Sequence, residues 1–420
     1  MGKKKKNTVR RSLPTASIFL GIVLAILLGL TLYAEYLLSK VNYVDPDATA
    51  PTLSQEQVEA VEQETEIADM EFTGETRDPD EVESLQETAP KVEVNSEHVV
   101  NILLIGADYQ SGDIARSDSM ILCTFNKYSN TITLTSFMRD MYVKIPGYKS
   151  NRINASYSLG GMKKLNETLN HNFGVTTDGT VEIDFANFEK LIDLLGGIEL
   201  DLSYKEADFI NFKTGKNVLK TGVQTLTGEQ ALWYSRFRGD AGGDFRRTSR
   251  QRIVLSILLE RYKNLSLTEL IGMMDDILPM VTTNLTKDEI LTYVKDLFPM
   301  LAGAKIVTQQ IPAEGTYEQS KINGMAVLVT NFKKNSKILA DTFYVPEETE
   351  PGFTGGVGEQ SFPRLRLQPG ICYAVFSIGS VRYCSQRSGS VYFFSPNVSR
   401  IPRHSTRSFC CRMGAEKRAS

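Results

Sequence analysis

Arginine and aspartate recur in a few short blocks whose spacing suits the handling of phosphate. Asp108 closes an apolar run, Arg116 and Asp118 follow two residues apart, and Arg139 ends a later apolar run. Arg236 and Arg238 repeat the two-residue spacing in SRFRGD, and Arg247 and Gln251 stand four apart in DFRRTSRQR. Residues two apart share a face of an extended chain, and residues four apart share a face of a helix. Brought together, these are five guanidinium groups, an amide and two carboxylates. Guanidinium forks match phosphate oxygens in bidentate fashion and stay charged at any relevant pH. Two carboxylates among phosphates suit Mg²⁺, a hard cation that shares its shell with substrate oxygens. Phosphoryl transfer rests on positioning and charge neutralisation, so no histidine or cysteine nucleophile is needed. Taken singly, each residue has a plainer reading. Arg116 and Asp118 make an ordinary ion pair, Asp108 a turn former after a glycine, and Arg247 with Gln251 the wet face of a helix. Convergence is what separates the two readings.

The rest of the composition closes competing routes. Three histidines (His98, His171, His404) leave little for imidazole triads or histidine-rich metal sites. Five cysteines include only Cys123 within 98–345, so that segment has no disulfide of its own. The net charge of −3 hides a partition: six basic groups in 1–11, a net −15 over 45–97, and a net +9 over 360–420. Residues 98–345 carry about +1. No long-range basic field exists there, so no nucleic-acid partner is expected and any anion site must be local.

To bring the blocks together, the elements must form a mixed α/β domain over 98–345, a three-layer α/β/α sandwich around a mixed sheet. VVNILLIGAD, SMILCTFN and TITLTSFM read as three strands, the last two joined by a turn at Lys127–Asn130. As an antiparallel meander they put Asp108, Arg116, Asp118 and Arg139 on one rim. GGMKKLNETLNHNFG reads as a helix stopped by Gly174, TVEIDF as a strand, ANFEKLIDLLGG as a helix and IELDL as a strand. TGEQALWYSRFR reads as a capped helix running into extended chain, and DFRRTSRQRIVLSILLERYKN as a long helix. Helices over 266–278 and 286–301, a strand at KIVTQQIPA and a last helix over about 324–343 complete the domain.

The flanks read differently. Residues 12–34 run without a charge, long enough at about 1.5 Å per residue to span the ~30 Å core of a bilayer. The basic residues 1–11 before that run keep the N-terminus cytoplasmic and put the later chain outside, as a single-pass membrane protein. Residues 35–97 form an acidic extracytoplasmic linker, extended by like-charge repulsion and helical only in spots. Residues 346–420, where arginine replaces lysine almost entirely and Gly, Pro and Ser break every pattern, read as an unstructured tail or as sequence out of its native reading frame. Comparison with the encoding DNA in the other frames decides between these.

The blocks NILLIGAD, ARSDSMIL, TSFMRDMYVKIPG, RINASYSLGG, LIDLLGGIELDL, LTGEQALWYSRFRGD and DFRRTSRQR, in this order, closely resemble the signature blocks of the LytR-CpsA-Psr family over about 98–265. The resemblance implies an extracytoplasmic phosphotransferase. Its donor would be an anionic glycopolymer (teichoic acid, capsule or related polysaccharide) on undecaprenyl pyrophosphate. Its acceptor would be peptidoglycan, at the C6 hydroxyl of N-acetylmuramic acid. By matched position, Asp108 and Asp118 correspond to the carboxylates of a Mg²⁺ site. Arg116, Arg139, Arg236, Arg238, Arg247 and Gln251 correspond to a pyrophosphate clamp. Arg152 stands where the family often has lysine, as a further basic contact. Asp118, Arg139, Arg236 and Arg238 are the expected catalytic set, and Arg246 takes the place of a usual small residue. The family's prenyl tunnel falls between sheet and helices, with Phe185, Phe188, Leu191, Ile192 and Leu195 as candidates that ordinary core packing explains equally well. A polyprenyl-pyrophosphate hydrolase and a membrane-anchored envelope regulator are the competing readings.

Overall fold

The computed structural model describes residues 28–29, 31–46, 53–63, 74–86, 89–109, 116–240 and 242–346, together with 377–378, 381–385 and 391–393. In chain order the elements begin with β1 (Asn42–Tyr43), α1 (Gln55–Gln63), β2 (Glu75–Thr76), α2 (Pro79–Leu85), β3 (Val99–Asp108), β4 (Arg116–Asn126), β5 (Thr131–Phe137), β6 (Met141–Val143) and β7 (Asn151–Arg152). Next come α3 (Ile153–Phe173), β8 (Gly179–Asp184), α4 (Phe185–Leu194), β9 (Ile198–Leu202), α5 (Tyr204–Thr214), β10 (Gly222–Leu226), α6 (Gly228–Arg236) and α7 (Gly243–Lys263). The domain closes with α8 (Leu267–Ile277), β11 (Thr282–Thr283), α9 (Lys287–Leu301), β12 (Lys305–Ile311), β13 (Tyr317–Ile322), β14 (Met325–Thr330) and α10 (Phe332–Phe343).

The main sheet is mixed, in the order β1-β11-β8-β3-β4-β5-β12. The expected meander is present: β3 pairs β4 and β4 pairs β5, both antiparallel, while β8 and β12 add in parallel on either side. Both faces are covered. Leu103, Met120 and Leu122 pack with Leu165 and Phe173 of α3 and Leu339 of α10. On the other face Ile121, Cys123, Ile132 and Leu134 meet Leu255 and Leu259 of α7. This alternation is what period-2 strands must do when both faces are buried. A smaller core gathers the β9–β10 hairpin with α4, α5, α6 and α7.

Three expectations need correction. The segment 324–343 is not one helix. β14 (MAVLVT), apolar throughout, is flanked by β13 and β6 in a five-stranded sheet, and α10 starts only after Asn331, whose side chain accepts from Lys334 N at 2.9 Å. Asn323 and Gly324 between β13 and β14 take φ of +50° and +82°, the turn an Asn-Gly pair favours in a tight hairpin. The helix expected from Gly160 starts earlier, at Ile153, and kinks at Gly160–Gly161. The acidic linker does not run free of the domain. β2 pairs in parallel with β13, Arg77 meets Glu318 at 2.7 Å, and Val61, Val82 and Val92 are buried. A few valines anchor this stretch while its carboxylates remain in water, so its charge is no obstacle to docking.

Within 348–420 the described residues form three short antiparallel strands, β15 (Ser377–Ile378), β16 (Val381–Ser385) and β17 (Val391–Phe393), where a tail without structure is expected. Most of the apolar run 12–34 lies outside the described residues. Among the described residues no helix is long and apolar enough to cross a membrane.

Candidate active site

The rim where β3 ends, β4 begins and β5 exits collects the arginine and aspartate blocks. Between β3 and β4 the register runs Gly106 to Ser119, then Ala107 to Ser117 and Asp108 to Arg116, leaving Asp118 as the extra residue of a bulge. A bulge re-aims a side chain, so the simple expectation that Arg116 and Asp118 share a face gives way to a pairing of Arg116 with Asp108. Arg236 occupies the last turn of α6, and the chain turns extended at the buried Phe237, which sends Arg238 on. Gly242 and Gly243 then take φ of +105° and +44°, values unsuited to side-chain-bearing residues. This turn, with Arg246 beyond it, starts α7 and delivers Asp244 and Arg247 to the rim.

Seven of the expected residues join one charged network. Arg139 Nη1 donates to Asp118 Oδ1 at 3.2 Å, and Arg247 Nη1 lies 4.0 Å from the same oxygen. Arg247 also holds Asp244, Nε to Oδ1 at 2.8 Å and Nη2 to Oδ2 at 3.0 Å. Arg238 Nε and Arg139 Nε stand 3.6 and 3.8 Å from Asp244 Oδ1. Arg236 Nη2 is 3.9 Å from Asp108 Oδ2, and its guanidinium lies 4.7 Å from the Phe185 ring centre. Arg152 joins through Asp140, at 3.9 Å, beside Arg139 at 3.8 Å. Arg116 and Arg152 line a small polar pocket with Asn151, Asn154 and Ser158. Gln251 stands apart from the charges and lines an apolar cavity instead.

Asp140 and Asp244 were not anticipated; the signal was an acid next to Arg139 in MRD and an acid three residues before Arg247 in DFRR. They change the electrostatics. Six guanidinium groups now face four carboxylates, so two positive charges remain in excess rather than four. Burial works against ionisation of Asp118, but Arg247, Arg139, Arg236 and Arg238 outweigh it and hold its carboxyl below the usual carboxylate value of 3.8. Asp140 goes the other way: burial, then the neighbouring Asp244, raise it despite Arg139, Arg152 and Arg247. Arg247, fully buried, is pushed down by desolvation.

Carboxylate oxygens are the hard donors that Mg²⁺ takes, and Asp108 at the end of β3 and Asp118 on the bulge of β4 are the residues that would hold one. Among the described residues no three His, Cys, Asp or Glu are grouped so as to hold a metal ion between them, so those residues offer no closed metal cage.

Behind the rim lies an apolar cavity of about 260 Å³ between the sheet and α4, α6 and α7. Phe185, Phe188 and Leu191 line it as anticipated. Ile192 and Leu195 do not; they face the β9–β10 hairpin in the neighbouring core, because they lie around the helix from the cavity stripe. The cavity wall turns polar at Ser119, Ser235 and Gln251, which neighbour Asp118, Arg236 and, one helical turn away, Arg247.

The sequence model of the LytR_cpsA_psr family matches residues 60–342. The chain belongs to that family. The LytR_cpsA_psr match starts inside the acidic stretch, where α1 docks on α3. Regulatory protein MsrR of Staphylococcus aureus is 36% identical over 176 residues, 41% of this chain and 51% of MsrR, so the chain spans about half the length of that relative. The polyisoprenyl-teichoic acid–peptidoglycan teichoic acid transferase TagU of Bacillus licheniformis is 31% identical over 258 residues, 60% of this chain and 79% of TagU. Among solved structures, protein gbs0355 of Streptococcus agalactiae superposes with a TM-score of 0.50 at 25% identity, covering 60% of this chain and 90% of that one.

Proposed function

We propose that this protein transfers an anionic glycopolymer from undecaprenyl pyrophosphate to a peptidoglycan hydroxyl, the C6 hydroxyl of N-acetylmuramic acid, forming a phosphodiester. One observation carries the reading: an apolar cavity of about 260 Å³ meets, at its polar wall, a rim of arginines in excess over carboxylates. A prenyl pyrophosphate has the same two halves, a hydrocarbon and a diphosphate. The name of the related TagU describes such a transfer for teichoic acid. Which polymer this chain moves is left to experiment.

The reading includes a membrane anchor at 12–34 with the domain outside. β1 begins eight residues after Ala34, and Asn42 donates from N to Val281 O at 3.2 Å and from Nδ2 to Pro279 O at 3.0 Å. Val281 lines the cavity, so the chain leaving the anchor joins the cavity wall, within reach of a membrane lipid's tail.

In the reaction the hydroxyl oxygen attacks the phosphorus that bears the glycan. The bond to the bridging oxygen breaks and undecaprenyl phosphate leaves. Arg139, Arg236, Arg238 and Arg247 bind the two phosphates and neutralise the charge that develops on the leaving oxygen. Arg116 and Arg152, from the polar pocket, extend the same clamp. Gln251 holds the junction between diphosphate and tail. Asp108 and Asp118 would hold Mg²⁺, which when bound adds positive charge at the phosphate oxygens. Asp118 or its neighbour Asp140, both beside Arg139, would accept the hydroxyl proton. No nucleotide is required, since cleaving the carrier's diphosphate drives the transfer.

The test is transfer of labelled polymer from its lipid carrier in membranes containing the full chain or Asp118→Asn. Label should enter peptidoglycan, and the variant should lose about 10²–10³-fold in rate while keeping its fold. Label released as free polymer would identify a hydrolase. Unchanged wall polymer in cells carrying the variant would favour a regulator, as MsrR is named.

A further inference from the structure

One buried carboxylate has no place in the mechanism above. Glu182 of β8 is 5% exposed and its recorded partners among the described residues are two phenols. Tyr157 of α3 donates to its Oε2 at 2.5 Å, and Tyr109 donates to its Oε1. The two phenol oxygens are themselves 3.4 Å apart. Burying a carboxylate is costly unless its oxygens are satisfied, and here each oxygen takes one hydroxyl.

The placement of those hydroxyls is informative. Tyr109 follows Asp108 directly, beyond the last β3–β8 pair (Ala107 with Asp184), and the residue is 54% exposed although its hydroxyl reaches inward to Glu182. Burial, then the bond to Glu182, push that hydroxyl up to about 12, so it stays a donor. Tyr157 lies in the short first part of α3, ahead of the Gly160–Gly161 kink. That part follows Arg152 and carries Asn154 and Ser158, which line the polar pocket with Arg116. Glu182 therefore ties together the two strips of backbone that present Asp108 with Arg116 on one side and Arg152 on the other.

We infer that Glu182 is a positioning residue: with Tyr109 and Tyr157 it forms a latch that sets the spacing across the arginine rim, and so its fit to a diphosphate rather than a single phosphate. The inference rests on the rim being the pyrophosphate site. The latched strips carry Arg116 and Arg152, which extend the clamp, so a diphosphate that reaches both senses their spacing, whereas one phosphate can be held by a single strip.

The experiment compares the affinities of the full chain in detergent for geranylgeranyl pyrophosphate and geranylgeranyl monophosphate. In Tyr109→Phe and Glu182→Ala the pyrophosphate affinity should fall about tenfold, the scale of one lost hydrogen bond to a charged group, while monophosphate affinity changes less than about twofold. Glu182→Gln, which can still accept from one phenol and donate to the other, should recover most of the loss. A general loosening of the fold would weaken both ligands alike. Unchanged preference in both variants, or equal loss for both ligands, would overturn the latch alone. Failure of the parent to bind either ligand would overturn the pyrophosphate site, and the latch with it.

Discussion

The two faces of the central sheet are built from alternate residues of the same strands, yet they are filled to different degrees. Toward α3 and α10, Leu103, Leu122, Leu165 and Phe173 are fully buried in continuous packing. Toward α4, α6 and α7, Leu104, Gly106, Ser119 and Val181 look into a cavity of about 260 Å³. Interiors normally close such space, because unfilled volume forfeits dispersion contacts. The contrast divides the sheet: one face is packed solid behind the rim, and the other is left open beside it. The rim draws on both, since Asp118 sits on a bulge of β4 and Arg236 lies over Phe185 at the cavity edge.

The largest effect should come from truncating the packed face. Leu122→Ala should cost about 3 kcal/mol, and Leu191→Ala, whose side chain already borders empty space, only about 1 kcal/mol. Urea unfolding of both variants measures the difference, and equal costs would mean the cavity is filled in solution. A smaller effect follows from filling the cavity from the sheet side. Val181→Phe should weaken binding of geranylgeranyl pyrophosphate by about tenfold and leave inorganic pyrophosphate unaffected. Isothermal titration of the two ligands separates tail from clamp, and parallel losses would break the division between them.

The smallest effect concerns the rim's charge. With its carboxyl held below 3.8, chiefly by Arg247 and Arg139 against the opposing effect of burial, Asp118 contributes stability that is fully present above that value. The contribution is lost as pH falls through the lowered one. The stability difference between the parent and Asp118→Asn should thus be level from about pH 7 to pH 5 and shrink toward pH 3. A difference that instead grew on acidification would reverse the assigned direction.

Much of the framework was legible because it rests on local rules. The meander of β3, β4 and β5 follows from apolar runs and a short polar turn, and α7 from its spacing. β14 was misread because a continuous apolar run suits a buried strand and a buried helix alike, although Asn323-Gly324 marked the hairpin. The docking of the acidic stretch was not legible, since three buried valines carry little weight against seventeen acids until a partner surface is known. Among site residues, Asp140 and Asp244 escaped for a related reason: a carboxylate next to Arg139, or three residues before Arg247, gives no sign in sequence of which way either side chain turns.

Residue chemistry and order along the chain already supply arginine and carboxylate groups of the kind that handle phosphate, and three histidines and five cysteines leave little for imidazole or thiol routes. Only the folded chain decides that Asp118 stands on a bulge, that Asp140 and Asp244 share the rim, and that a cavity opens beside them. Side-chain type is a local property. Bulge placement, charge pairing and unfilled space arise when segments far apart in sequence are brought within a few ångströms of one another.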